Sequence, residues 1–116
     1  MPNMKEGDVI LTPLPQANGQ VKNRPVLFLR EMLPFNDALV CGISSQLHQQ
    51  VEGFDEIISQ KDADFSSSGL VQDSLIRLGF LAVIPQDKVI GSIGAISAAR
   101  HKRLLQNLSE YLIKSK

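Results

Sequence analysis

The sequence predicts a mainly β domain, a small barrel or half-barrel closed by a C-terminal helix. Three observations carry that prediction. Short apolar runs separated by Gly, Pro, Asn and Asp recur as far as Ile84. From Ser97 onward the apolar period changes to that of a helix. At 116 residues the chain is long enough for one core and too short for two, so residues 1–116 are expected to form a single domain.

The elements follow in order. "DVILTPL" at 8–14 reads as the first strand, and "PQANGQVKN" at 15–23 as a polar loop punctuated by Pro, Asn and Gly. "PVLFLREM" at 25–32 is the second strand, with Pro25 tolerable only at a strand start or on an edge. "LPFND" turns the chain into "ALVCGIS" at 38–44, and "FDEIIS" at 54–59 is a shorter strand. "QKDADFSSSG" at 60–69 is expected to be loop with at most one helical turn. "SLIRLGFLAVI" at 74–84 is the longest β-like run, and Gly79 in its middle predicts a bend or bulge. "GSIGAI" at 91–96 has two glycines without phosphate-loop spacing and reads as a turn. Ser97 can then N-cap a helix whose Leu104, Leu105, Leu108, Tyr111 and Leu112 form an apolar stripe. Arg100, Lys102, Arg103, Glu110 and Lys114 are expected to lie largely outside, and His101 to be solvated.

Composition excludes several classes. Twelve basic and twelve acidic residues cancel, which argues against a surface coated in positive charge for non-specific nucleic-acid binding. The single Cys41 cannot form an internal disulfide and lies in an apolar run, where a buried small residue is expected. No apolar run is long enough for a signal-peptide core or a membrane span, so a cytoplasmic protein without membrane contact is expected. One Cys, two distant His and no carboxylates at ligand spacing give no metal site and no cofactor. One Tyr, five Phe and no Trp leave little material for extensive base stacking.

Three segments share a resemblance that goes beyond pattern. "GDVILTPLP…NGQVKNRPVLFL", "VCGISSQ" and "DSLIRLGFLAVIP…IGSIGAIS", the last followed by a Leu-rich helix, occur in the order found in the MazF/PemK family of toxin ribonucleases. There a Gly-Asp strand, a variable loop and an Arg-Pro pair come first, and a strand ending in Thr-Ser or Ser-Ser follows. The chain resembles that family over nearly its whole length. The resemblance implies an SH3-like small barrel, a homodimer, a cognate antitoxin, and metal-independent, sequence-selective cleavage of single-stranded RNA that inhibits growth.

Such cleavage uses the ribose 2′-OH as nucleophile on the adjacent phosphorus. It needs a base for that proton, a donor for the leaving 5′-oxygen, and cationic or hydrogen-bonding partners for the phosphorane oxygens. By resemblance, Arg24 is the catalytic arginine, whose fixed fork suits phosphate oxygens, and Ser44 is the catalytic hydroxyl. Gln16, Asn18, Lys22, Ser45, Gln46, His48 and Arg77 are the expected RNA-binding groups. Read on its own, an Arg at a strand start is a solvated surface group, and serines at a strand end satisfy local backbone.

The sequence departs from the pattern at one place. Many members carry an Asp followed by Gln two residues beyond the Arg at position 77, but here those positions are Gly79 and Phe80. Glycine moves no proton. Asp73, Glu52, Asp55 and Glu56 are candidates to replace that carboxylate, and His48, three residues after the Ser-Ser pair, is a candidate base or acid. The alternative reading is a non-catalytic RNA- or protein-binding member of the same fold, for example one resembling the gyrase-poisoning toxins.

Overall fold

The computed structural model describes residues 4–114. Its strands are β1 (Asp8–Pro15), β2 (Val21–Met32), β3 (Asp37–Ser44), β4 (Glu56–Ile58), β5 (Ser74–Ile84) and β6 (Gly91–Ala95), and its helices are α1 (Phe65–Ser68) and α2 (Ala98–Ile113). The strands pair antiparallel in one sheet of order β4-β5-β3-β2-β1-β6, which curls into a half-barrel. Among the described residues no helix is long and apolar enough to cross a membrane.

Both faces of this sheet are covered, which explains why its central strands are apolar without alternation. Leu27, Leu29, Cys41, Ile76 and Leu78 point to one face and pack with Val9 beneath Leu104 and Leu108 of α2. Val26, Phe28, Ala38 and Val40 point to the other, where the curl closes over Ile10 and Val89. Burial of the two helix leucines contributes about 1.5–3 kcal/mol each. Ser97 caps α2 as expected, accepting the Arg100 N–H at 3.1 Å.

Several expectations need correction. β2 begins at Val21, so the polar loop is shorter than 15–23. Over Val21–Pro25 the strand pairs with β1, while its pairing with β3 starts only at Val26. Pro25 therefore sits where β2 is an edge, and its missing N–H breaks no ladder. "GSIGAI" is strand rather than turn, because β6 pairs with β1 at the end of the sheet. The "FDEIIS" strand is only Glu56–Ile58. The stripe on α2 ends early: Leu104 and Leu108 are buried, whereas Tyr111 and Leu112 are exposed because the last turns run past the sheet. Tyr111 leans on Phe54 with ring centroids 5.0 Å apart. His101 is half-buried, and its Nε2 donates to the Leu29 carbonyl at 2.7 Å.

Arg100 reverses its expectation most sharply. It is 7% exposed, because three carboxylates, one on β4 and two in the loop before α1, converge on it. Its guanidinium donates to Asp64 at 2.8 Å, to Asp62 at 2.9 Å and to Glu56 at 2.9 Å, and to the Ile57 carbonyl at 3.2 Å. Burial alone would raise the Asp64 carboxyl; the Arg100 hydrogen bond and charge and the Ser97 N–H outweigh it and hold the group at about 2.

The α1–β6 contact is a backbone packing that only glycine allows. A Cβ at Gly94 would run into the Ser67 carbonyl oxygen and the Ser68 carbonyl, whereas one at Gly91 would meet nothing within 4 Å. Gly94→Ala is therefore expected to lower stability by about 1–3 kcal/mol, read as a lower urea midpoint, with Gly91→Ala close to wild type. Equal midpoints for the two variants would contradict this packing argument.

Candidate functional site

β2 and β5 flank β3, and their register gathers one set of side chains. Gly42 pairs with Val26 on one side and with Arg77 on the other. Directly opposed residues in an antiparallel pair share a face, and so do alternate residues along a strand. Arg24, two residues before Val26, and Ser44, two after Gly42, therefore stand on the face that also carries Arg77. Because the β2–β3 ladder stops at Val26, the two strands part beyond it and leave a cleft of about 590 Å³.

Arg24, Ser44, Ser45, Gln46, Gln16 and Arg77 all line this cleft. Arg24 is exposed, and its Nη2 donates to Gln16 Oε1 at 3.1 Å, while Gln16 Nε2 donates to the Leu14 carbonyl at 3.0 Å. Gln16 thus ties the guanidinium to the end of β1 without neutralising it. Among the described residues, no carboxylate pairs with Arg24 or Arg77, while Arg30, Arg100 and Arg103 all have such partners. Ser44 Oγ accepts the Gln46 N–H at 3.0 Å. With that lone pair engaged, its hydroxyl proton remains available for donation into the cleft. Two unpaired cations and a hydroxyl donor on one wall make a local anion-binding surface in a chain with no net charge.

Three expected groups are not brought to the cleft. Asn18 shapes the hairpin tip, its Oδ1 accepting the Gln20 N–H at 3.0 Å. Lys22 is exposed on β2 opposite Leu14. His48 is exposed on the turn Leu47–Gln49, outside the lining.

The candidate replacement carboxylates are also elsewhere. Asp55 is buried, one oxygen accepting the Leu78 N–H at 3.0 Å and the other the Val51 N–H at 2.9 Å. Glu56 belongs to the Arg100 cluster and is also bridged by Arg103 at 3.0 Å. Asp73 accepts the Gln60 N–H at 2.9 Å, and Glu52 is exposed in a turn. Among the described residues, the cleft lining thus contains no Asp, Glu or His. Cys41 is fully buried, and its thiol is pushed far up by burial and by the charge of Asp55, so it is not a nucleophile.

The rest of the lining was not legible beforehand. Leu14, Leu70, Val71 and Phe80 supply an apolar side, and Gln72 and Ser74 add polar groups. The segment 70–72 belongs to the connection entering β5, and nothing in its local pattern announces a cleft wall.

A family profile described as "PemK-like, MazF-like toxin of type II toxin-antitoxin system" matches residues 5–112. The chain belongs to this PemK/MazF-like toxin family. Membership implies an antitoxin partner. No curated protein sequence gives a match. For a PemK/MazF-like chain, the register of β2, β3 and β5 has a direct consequence: the Arg-Pro arginine, the serine pair and the β5 arginine come from distant segments and meet on one wall.

Proposed function

We propose that the protein is the toxin of a type II toxin–antitoxin pair, a cytoplasmic, homodimeric endoribonuclease that cuts single-stranded RNA without metal. The observation that carries this reading is the convergence of unpaired Arg24 and Arg77 with the Ser44 hydroxyl in one open cleft. Arg24 contacts the non-bridging oxygens of the scissile phosphate and stabilises the charge that grows there as the 2′-oxygen attacks. Ser44 donates a second hydrogen bond to the same group, and Arg77 clamps the strand. Gln16, Ser45 and Gln46 offer amide and hydroxyl groups to base edges and phosphates. The antitoxin would compete for this cleft with a disordered tail carrying acidic and apolar residues.

A second reading has its own observation. Among the described residues no carboxylate or imidazole lines the cleft, and Gly79 stands where the family pattern places an acid. A protein with this lining holds phosphate well and moves protons poorly, so the second reading is a toxin that binds RNA without cutting it. One assay separates the two. A long RNA incubated with the protein in EDTA should give a few discrete cuts, and His48→Ala should match wild type within about two-fold because His48 lies outside the cleft. RNA retained by the protein but left intact would instead favour binding alone. Loss of cleavage in His48→Ala would return the imidazole to the mechanism.

A further inference from the structure

Phe80 is placed by more local structure than a stray surface aromatic needs. On β5, Arg77 pairs with Gly42 while Leu81 pairs with the preceding Cys41, so Leu78, Gly79 and Phe80 bulge out between consecutive β3 partners. The bulge is held from inside: buried Asp55 accepts the Leu78 N–H at 3.0 Å and fastens its other oxygen to the Val51 N–H. Gly79 at its centre has nothing within 4 Å of where a Cβ would stand. The result swings the Phe80 ring back across β3, onto Gly42. There a Cβ would come within 3.1 Å of Phe80 Cδ1, so the bare glycine backbone is the seat on which the ring lies.

The ring does not complete the core. It belongs to neither buried cluster and is 41% exposed, at the cleft that Arg24 and Arg77 line. An apolar ring held over glycine and flanked by phosphate-binding cations offers one nucleobase a flat surface while its phosphates meet the arginines. A peptide occupant would be served equally well by a flexible aliphatic side chain and would not need the bulge, the buried carboxylate and the glycine seat together.

Resting on the reading of the cleft as an RNA site, we propose that Phe80 is the stacking platform for a single base next to the bound phosphate. It is thus a base-binding contact in the position where the family pattern carries a hydrogen-bonding Gln. Stacking on one ring tolerates several bases and favours purines for their larger face.

The test measures anisotropy of fluorescein-labelled single-stranded rA9, rU9 and rC9 in EDTA with wild type, Phe80→Tyr and Phe80→Leu. Thermal unfolding is followed alongside to confirm that each variant is folded. Phe80→Tyr should bind within about two-fold of wild type, and Phe80→Leu should bind rA9 roughly 5- to 150-fold more weakly. The salt dependence should be unchanged in Phe80→Leu, since a stacked base releases no counterions. In rA9 carrying one abasic site, a single position should cost wild type as much as Phe80→Leu costs intact RNA, and cost that variant nothing more. A folded Phe80→Leu that binds rA9 like wild type, while Arg77→Ala binds weakly, overturns the platform and leaves the RNA site standing. Wild type that binds neither these three RNAs nor the long RNA of the cleavage assay overturns both. A Phe80→Leu variant that loses an acidic, apolar peptide while keeping rA9 assigns the ring to a protein partner and overturns the proposal.

Discussion

Arg24→Ala should lower the rate of RNA cleavage by at least about 100- to 1,000-fold, the usual cost of removing one donor aimed at charge that develops in the transition state. The reasoning starts from what surrounds the guanidinium. Gln16 holds it by a neutral hydrogen bond of 3.1 Å, and among the described residues no carboxylate offsets its charge. The full positive charge is therefore available to a phosphate, and no other cation on β2 replaces it at that point. Arg24→Lys keeps the charge but loses the planar fork, so it should recover affinity better than rate. Gel analysis of a long RNA gives the rate. Binding of an uncleavable 2′-deoxy strand at several salt concentrations should give a slope reduced by about one for Arg24→Ala. Cleavage unchanged in Arg24→Ala would defeat the assignment of this cleft, whichever residues supply the protons.

What the sequence made legible, and what it did not, follows from the range of the interactions involved. Apolar runs, turn residues and the Ser97 cap act locally, so the mainly β fold with its closing helix was readable from them. Arg24, Ser44 and Arg77 were connected through family resemblance, and strand register then explains how three distant segments meet. Phe80 was hidden because a bulge of several residues in β5 resets the two-residue alternation after Arg77. Period alone cannot say onto which face the ring turns. Arg100 was misread for a related reason. Helical spacing assigned it to the polar side of α2, but Asp62, Asp64 and Glu56, more than thirty positions away, decide its burial. A long-range ionic cluster leaves no periodic trace.

That cluster carries the largest expected loss of stability. Arg100→Leu should destabilise the fold by about 3–5 kcal/mol, because it strands the buried Asp64 carboxylate, and the half-buried Glu56 and Asp62, without their cation. Asp64 is 7% exposed, and one of its oxygens also accepts the Ser97 N–H at 3.0 Å, so the start of α2 is loosened by the same change. Arg103→Ala, which removes a half-exposed partner of Glu56, should cost under about 1 kcal/mol. In wild type the Asp64 carboxyl is held at about 2, below its ordinary value of 3.8. The folded state therefore binds that proton less readily than the unfolded chain. Its contribution is complete above roughly pH 4 and is lost as pH falls through about 2. In Arg100→Leu the lowering by the cation is lost, while burial and the Ser97 N–H act against each other. The Asp64 carboxyl therefore moves up toward its ordinary value, and the gap to wild type should narrow as pH falls toward 3. Urea unfolding of the two proteins from pH 7 to pH 3 measures this directly. A constant gap across that range, or equal losses for the Arg100 and Arg103 variants, would show that the buried cluster does not hold α2 to β4 by charge.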